Sequence, residues 1–151
     1  MTAAPSTPFS VDVAIRFSHS DPAGIVYYPN YFDMFNAVIE DWFAGALGVP
    51  YFEEILVRRR GFPMVHAECD FFIPSRMGDR LSMTVLIKDI GRSSLKLSII
   101  GHVGAQERLR ATLVVVLINL ENHQSMPIPP DLRERLERYR AGCGDWQLGS
   151  T

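Results

Sequence analysis

Between Asn30 and Leu47 the chain carries a helical pattern that is apolar around most of its circumference. Tyr31, Phe35, Val38, Ile39, Trp42 and Ala46 recur at helical spacing, and Phe32, Phe43 and Leu47 widen that stripe well beyond an ordinary surface helix. Asp33, Asn36, Glu40 and Asp41 leave only a narrow polar side, and Gly48 and Pro50 stop the helix. Such a helix has to be covered on several sides, so the rest of the chain must supply that cover.

The rest reads mainly as strands. Over residues 9–18, Phe9, Val11, Val13, Ile15 and Phe17 alternate with Ser10, Asp12, Arg16 and Ser18, the period of a half-buried strand. Residues 51–60 form a short helix or an irregular segment. Over 65–73, Val65, Ala67, Cys69, Phe71 and Ile73 alternate with His66, Glu68, Asp70 and Phe72. Leu81, Met83, Val85 and Ile87 mark another strand, and Leu95, Leu97 and Ile99 mark one that follows the Gly91-Arg92-Ser93 turn and runs to Val103. The last, about 107–120, is apolar on both faces from Leu113 to Ile118 and is expected at the centre of the sheet. Pro127, Pro129 and Pro130 break it, and Asp131 to Arg140 reads as a short amphipathic helix.

Four strands in succession predict an antiparallel meander. The fold class is therefore α+β: an antiparallel sheet of about five strands wrapped around one long buried helix. No repeat or linker divides the 151 residues, which predicts a single domain with its core over about 9–140 and flexible ends at Met1 to Thr7 and Gly142 to Thr151. One helix cannot cover every apolar strand face, so the chain is expected to form an oligomer.

Composition removes several function classes. A net charge of −2 gives no basic excess for nucleic acid. No basic region followed by an apolar run opens the chain, and no apolar stretch is long enough to span a membrane. Cys69 and Cys143 make neither a disulfide framework nor a metal-ligand spacing, which fits a cytoplasmic protein. His102 and His123 lack companions at ligand spacing, so no metal site is predicted.

The chemistry-bearing stretch is Asp21-Pro22-Ala23-Gly24, a turn between the first strand and the apolar helix. Helix N-termini present unpaired N–H groups and partial positive charge, which can polarise a carbonyl while a nearby carboxylate attacks it or activates water. An aspartate before proline is also a common turn opener. Ser18-His19-Ser20-Asp21 is a poor triad, because successive residues of an extended chain point to opposite faces.

The run Phe17-Ser18-His19-Ser20-Asp21-Pro22-Ala23-Gly24-Ile25-Val26-Tyr27-Tyr28-Pro29-Asn30-Tyr31 resembles the hot-dog-fold acyl-CoA thioesterases, and most closely the 4-hydroxybenzoyl-CoA thioesterase type. The likeness covers roughly residues 10–138, with a weaker match at Phe72-Ile73-Pro74 and Gly78-Asp79. It implies hydrolysis of an acyl-CoA thioester without a cofactor. It also implies homodimers that assemble into homotetramers, with the active site at the dimer interface. Asp21 falls on the family's catalytic acid, as nucleophile or general base. The backbone N–H at or near Tyr28 falls on its oxyanion site, and Tyr28 and Pro29 at the helix start would line the substrate.

Other positions carry a functional and a plainer reading side by side. Asn36 falls where the hydroxybenzoyl enzymes carry an aspartate that reads the ring hydroxyl; it keeps hydrogen-bonding capacity without the charge, and would otherwise be a solvated or interfacial amide. Arg92 and Ser93 fall on a turn that holds CoA phosphates in the aromatic subgroup, here thinned to one arginine, or form a solvated hairpin tip. Arg58-Arg59-Arg60 would add charge at the nucleotide end or form a solvated face. His66 would line the pocket or sit in an interface. A hot-dog dehydratase and a non-catalytic acyl-CoA or acyl-carrier-protein binding module are the alternative functions.

Overall fold

The apolar helix and its cover are both present in the computed structural model, which describes residues 8–149. Helix α1 (Pro29–Gly45) buries Tyr31, Met34, Phe35, Val38, Ile39, Trp42 and Phe43, so most of its wide stripe is covered, while Phe32 and, just past the helix, Ala46 are half-buried. It starts one residue earlier than the periodicity places it, because Pro29 takes the first helical position, where its missing N–H costs nothing. It ends at Gly45, and Gly48 beyond it has a positive φ of 70°.

Strand β1 (Ser10–Ala14) precedes α1. After α1 come helix α2 (Tyr51–Leu56), strand β2 (Arg60–Gly61), and the long strands β3 (Met64–Phe71), β4 (Arg80–Ile90), β5 (Ser94–Val103) and β6 (Gln106–Val116). Strand β7 (Ile118–Asn119) pairs with β2 in a separate two-stranded ribbon, and helix α3 (Pro130–Cys143) closes the chain. Residues 51–60 thus hold a helix and a strand rather than one irregular segment.

The five-stranded sheet has the order β1-β4-β5-β6-β3 and is antiparallel throughout. Only β4, β5 and β6 form a meander. Strand β3 does not lie beside β4 but pairs with β6 at the far edge, because β1 already occupies the other side of β4. The doubly apolar β6 is interior but not central, and β5 holds the centre.

The inner face of the sheet grips α1. Leu81, Met83, Val85, Leu97, Ile99, Ala111 and Leu113 are fully buried against Phe35, Trp42 and Phe43. Burial of this kind stabilises by roughly 1.5–3 kcal/mol per large side chain. Helix α3 seals the open end with Leu132, Leu136 and Tyr139. The Tyr139 hydroxyl donates to Val85 O at 2.6 Å and accepts from the Phe9 N–H at 2.7 Å. Helix α3 runs three residues past its expected end, and Trp146 beyond it comes within 6.5 Å of His102, ring centre to ring centre. Residues 1–7 and 150–151 of the expected flexible ends lie outside the described residues.

Candidate active site

The Asp21 turn is a closed loop held by its own backbone. Asp21 N–H donates to Ile25 O at 3.0 Å, Gly24 N–H to Asp21 O at 2.9 Å, and Ser20 bridges Val26. Gly24 adopts φ +82°, a conformation in which a side chain would be strained. The Ala23 N–H donates to Asp21 Oδ1 at 2.8 Å, an Asx turn that orients the carboxylate. Asp21 Oδ2 has no hydrogen-bond partner among the described residues.

Two anchors fix this turn against the helix. Tyr27 N–H and Asn30 Nδ2 both donate to the His19 carbonyl at 2.9 Å. Asn30 N–H reaches Tyr27 O and Tyr31 N–H reaches Tyr28 O, which tightens the first turn of α1. The Tyr28 N–H, just before the helix, has no partner among the described residues.

Beside this turn lies an open cleft of about 590 Å³. Ile25, Val26, Tyr28 and Tyr31 form one wall, and the stretch from Phe71 to Pro74 forms the other. The Tyr31 and Phe71 ring centres are 5.5 Å apart, and Tyr28 meets Phe71 edge to face at 6.4 Å. Burial pushes the Tyr31 hydroxyl above its ordinary pKa, partly offset by hydrogen bonding to Ser75 and by the Arg108 charge. The cleft is thus apolar and aromatic, with Tyr28 at its rim, more than half exposed.

The other sequence candidates lie elsewhere in the chain. Asn36 is exposed and lines a separate compartment of about 260 Å³ with Glu40, Tyr51, Phe62 and Met64. Arg92 is exposed in the β4–β5 turn, its Nη1 3.5 Å from Ser93 Oγ. That turn is tied to α3, since Ile128 N–H donates to Arg92 O and Arg133 donates to Gly91 O. It lies beyond the far end of β4 from the Asp21 turn, and that strand of 11 residues is itself roughly 33 Å long at ~3.3 Å per residue. His66 pairs across the sheet with Val114, whose neighbours Leu113 and Val115 point into the core. His66 therefore faces outward, with its Nε2 3.4 Å from Glu68 Oε1. Within one chain the structure brings together Asp21, Tyr28 and Pro29, but not Asn36, His66 or Arg92.

The basic run has carboxylate partners. Arg60 Nε and Nη2 grip the buried Glu54 carboxylate at 2.7 and 3.1 Å, Arg58 lies near Glu53 and Glu54, and Arg59 meets Glu121 at 3.1 Å. Among the described residues no three His, Cys, Asp or Glu side chains cluster as a metal site would require, and no helix is long and apolar enough to cross a membrane.

Sequence reasoning left Asn30, Ser75 and Arg108 without a role. Asn30 carried a usable signal, an amide one residue into a proline-started helix. Ser75 and Arg108 did not, because their contacts join distant segments.

One long helix wrapped by a five-stranded antiparallel sheet, with an acidic turn at the helix start, defines the hot-dog class. The chain belongs to the thioesterase-like superfamily, whose sequence profile matches residues 15–136. It is 30% identical over 128 residues to a 1,4-dihydroxy-2-naphthoyl-CoA hydrolase of Acaryochloris marina, covering 83% of this chain and 93% of that one. It is 33% identical over 82 residues to a 4-hydroxybenzoyl-CoA thioesterase of Pseudomonas sp., covering 53% of this chain and 57% of the other. Among solved structures it is similar to a gentisyl-coenzyme A thioesterase, with a TM-score of 0.76 and 26% identity over 85% of this chain and 99% of that one.

Proposed function

We propose that this thioesterase hydrolyses aromatic acyl-CoA thioesters, with Asp21 as nucleophile or general base. The observation that carries the reading is the Tyr28 N–H, which is unpaired at the start of α1 and opens beside an aromatic cleft in the same segment as Asp21. The thioester carbonyl would lie at the helix end, where the Tyr28 N–H and the positive end of the helix dipole stabilise the developing oxyanion. As a nucleophile, the free Asp21 oxygen bonds to the carbonyl carbon, the C–S bond breaks, CoA leaves as thiolate, and water then hydrolyses the mixed anhydride. As a base, Asp21 takes a proton from the water that attacks. The aromatic acyl class is supported by the Phe71, Tyr28 and Tyr31 walls and by the names of the three relatives.

The reading extends to a homodimer. Strand β3 is a sheet edge whose apolar side chains are open, Val65 at 61% and Phe71 at 46% exposure. Two copies pairing these edges antiparallel across a two-fold axis would set the Phe71 end of one beside the Met64 end of the other. That arrangement would carry Asn36 and Arg92 of the partner subunit toward Asp21, with Pro29 lining the same site, Asn36 near the acyl group and Arg92 and Ser93 near the CoA phosphates. His66 faces away from this site in the chain, and its place would be an outer-face contact in the wider assembly, a pair of such dimers.

The test is steady-state hydrolysis of benzoyl-, phenylacetyl-, short-chain and long-chain acyl-CoA, read with a thiol-detecting reagent. Asp21→Asn is expected to lose about 10²-fold or more in kcat while still binding CoA by calorimetry. Full activity in folded Asp21→Asn would remove the mechanism, and absence of hydrolysis across the panel would favour the binding module.

A further inference from the structure

The loop from Phe72 to Asp79 makes one wall of the cleft and also touches the catalytic turn. Phe72, Ile73 and Pro74 line the cleft. The Ser75 carbonyl accepts the Val26 N–H at 2.9 Å, and Arg76 bridges Ile25. A movement of this loop would therefore shift the acyl wall and the Asp21 turn together. The loop is not a regular element, so some other group must fix its shape.

That group is Arg108 on β6. Its carbonyl accepts the Phe72 N–H at 2.8 Å and the Ile73 N–H at 3.2 Å. Its Nη1 donates to Pro74 O at 3.0 Å, reaches Ser75 Oγ at 3.3 Å, and approaches Asp79 Oδ2 at 3.4 Å. Its Nε donates to Gln106 Oε1 at 2.8 Å, which fixes the plane of the guanidinium. The Arg108 side chain is only 13% exposed, so these bonds are little weakened by water. Ser75 is fully buried, and its polar groups lower the pKa of Tyr31 in the opposite wall of the cleft against the rise that burial causes. Asp79 is held in turn, since its Oδ2 accepts the Arg76 N–H at 2.9 Å. The Arg108 carbonyl thus holds the loop's start and its Nη1 the middle and end, with the Nε bond to Gln106 fixing the guanidinium plane so that Nη1 faces the loop, an orientation that a freely rotating ammonium keeps poorly.

We propose that Arg108 is a positioning residue for acyl-group recognition: through Pro74, Ser75 and Asp79 it sets the wall of the cleft and its distance from the Asp21 turn. The inference rests on the thioesterase reading of the cleft. Its consequence is selectivity for bulky acyl groups, because only these press on the Phe72–Pro74 wall.

The experiment compares kcat and KM for benzoyl-CoA and acetyl-CoA in wild type, Arg108→Lys and Arg108→Ala, with folding followed by circular dichroism. Arg108→Ala is expected to lower the benzoyl-to-acetyl ratio of kcat/KM by about tenfold or more, the scale on which ångström misplacement acts. Added methylguanidinium is expected to restore part of that ratio, and Arg108→Lys to fall between the two. A folded variant with an unchanged ratio, or one whose ratio does not respond to methylguanidinium, would overturn the proposal. If Arg108→Ala does not fold, Arg108→Lys decides alone, with an unchanged ratio counting against it. Failure of the thioesterase reading is distinguishable, since wild type would then hydrolyse neither substrate.

Discussion

Asn30 Nδ2 donates to the His19 carbonyl at 2.9 Å, so the first turn of α1 is bonded directly to the segment that leads into Asp21. The Tyr27 N–H shares the same acceptor. This junction sets the separation between the proposed carboxylate and the proposed oxyanion donor. Asn30→Asp removes the donor and sets a carboxylate against a carbonyl. It is expected to lower kcat by about 10- to 100-fold, as small misplacements of reacting groups do. The melting temperature should move little, because the core contacts of α1 are untouched. A thiol-release assay with parallel thermal melts checks both halves.

What could be read of the site before its geometry was known follows the same division between local and distant partners. The Asp21 turn is local: Asp, Pro and Gly fall at turn positions between a period-two strand and a period-3.6 helix, and the structure forms that turn. Asn36 was visible as part of the narrow polar face of α1. Its separation from the Tyr28 cleft was not, because the intervening walls come from β3 and α2. Arg108 was indistinguishable from any strand arginine, since three of its four side-chain acceptors, Pro74 O, Ser75 Oγ and Asp79 Oδ2, lie some 30 residues away.

Arg60 and Glu54 form the most buried ion pair of the described residues, with side-chain exposures of 14% and 2%. Breaking one partner of such a pair leaves a charge without compensation and costs about 3–5 kcal/mol. Arg60→Met is therefore expected to destabilise strongly, with Arg58 at 3.4 Å moderating the loss. The double variant Glu54→Leu/Arg60→Met should be more stable than Arg60→Met alone, because no buried carboxylate remains. Urea unfolding of the three proteins measures the difference, and a double variant less stable than the single would contradict it.

The fold was legible where one element decides its own pattern. The wide apolar arc of α1 and the alternation of β4 and β5 each predict an element that is present. Strand order was less legible, because alternation says which face of β3 is buried and not which neighbour it pairs with. The meander expectation set β3 beside β4; β1 holds that edge, and the Phe72–Asp79 loop carries the chain from one edge of the sheet toward the other.

Cys69 lies on the inner face of β3, opposite Ala111, and burial pushes its thiol up to about 11. The thiolate is the reactive form. At pH 8 the folded protein should therefore react with iodoacetamide at this position about a hundredfold more slowly than the unfolded chain, whose thiol is unperturbed. Mass spectrometry of peptides from timed alkylation in buffer and in urea checks this. Equal rates in the two conditions would mean that β3 opens freely to solvent.

Tyr139 joins three elements: its hydroxyl donates to Val85 O on β4 and accepts the Phe9 N–H, while its ring packs edge-on against Trp42 of α1. Tyr139→Phe keeps the ring and leaves a buried carbonyl and a partly buried N–H without partners, at a cost of about 1–3 kcal/mol. Burial also raises the Tyr139 pKa well above the ordinary tyrosine value in the folded state. A raised folded pKa contributes stability that is fully present below the unfolded value, near 10, and is lost as pH rises beyond it. Wild type should therefore lose stability between pH 10 and pH 12 more steeply than Tyr139→Phe, which has no proton to release there. The two stability curves should converge as pH rises, and denaturant titrations at pH 8, 10 and 11 measure that convergence; curves that stay parallel would show that Tyr139 does not remain protonated through folding as its burial requires.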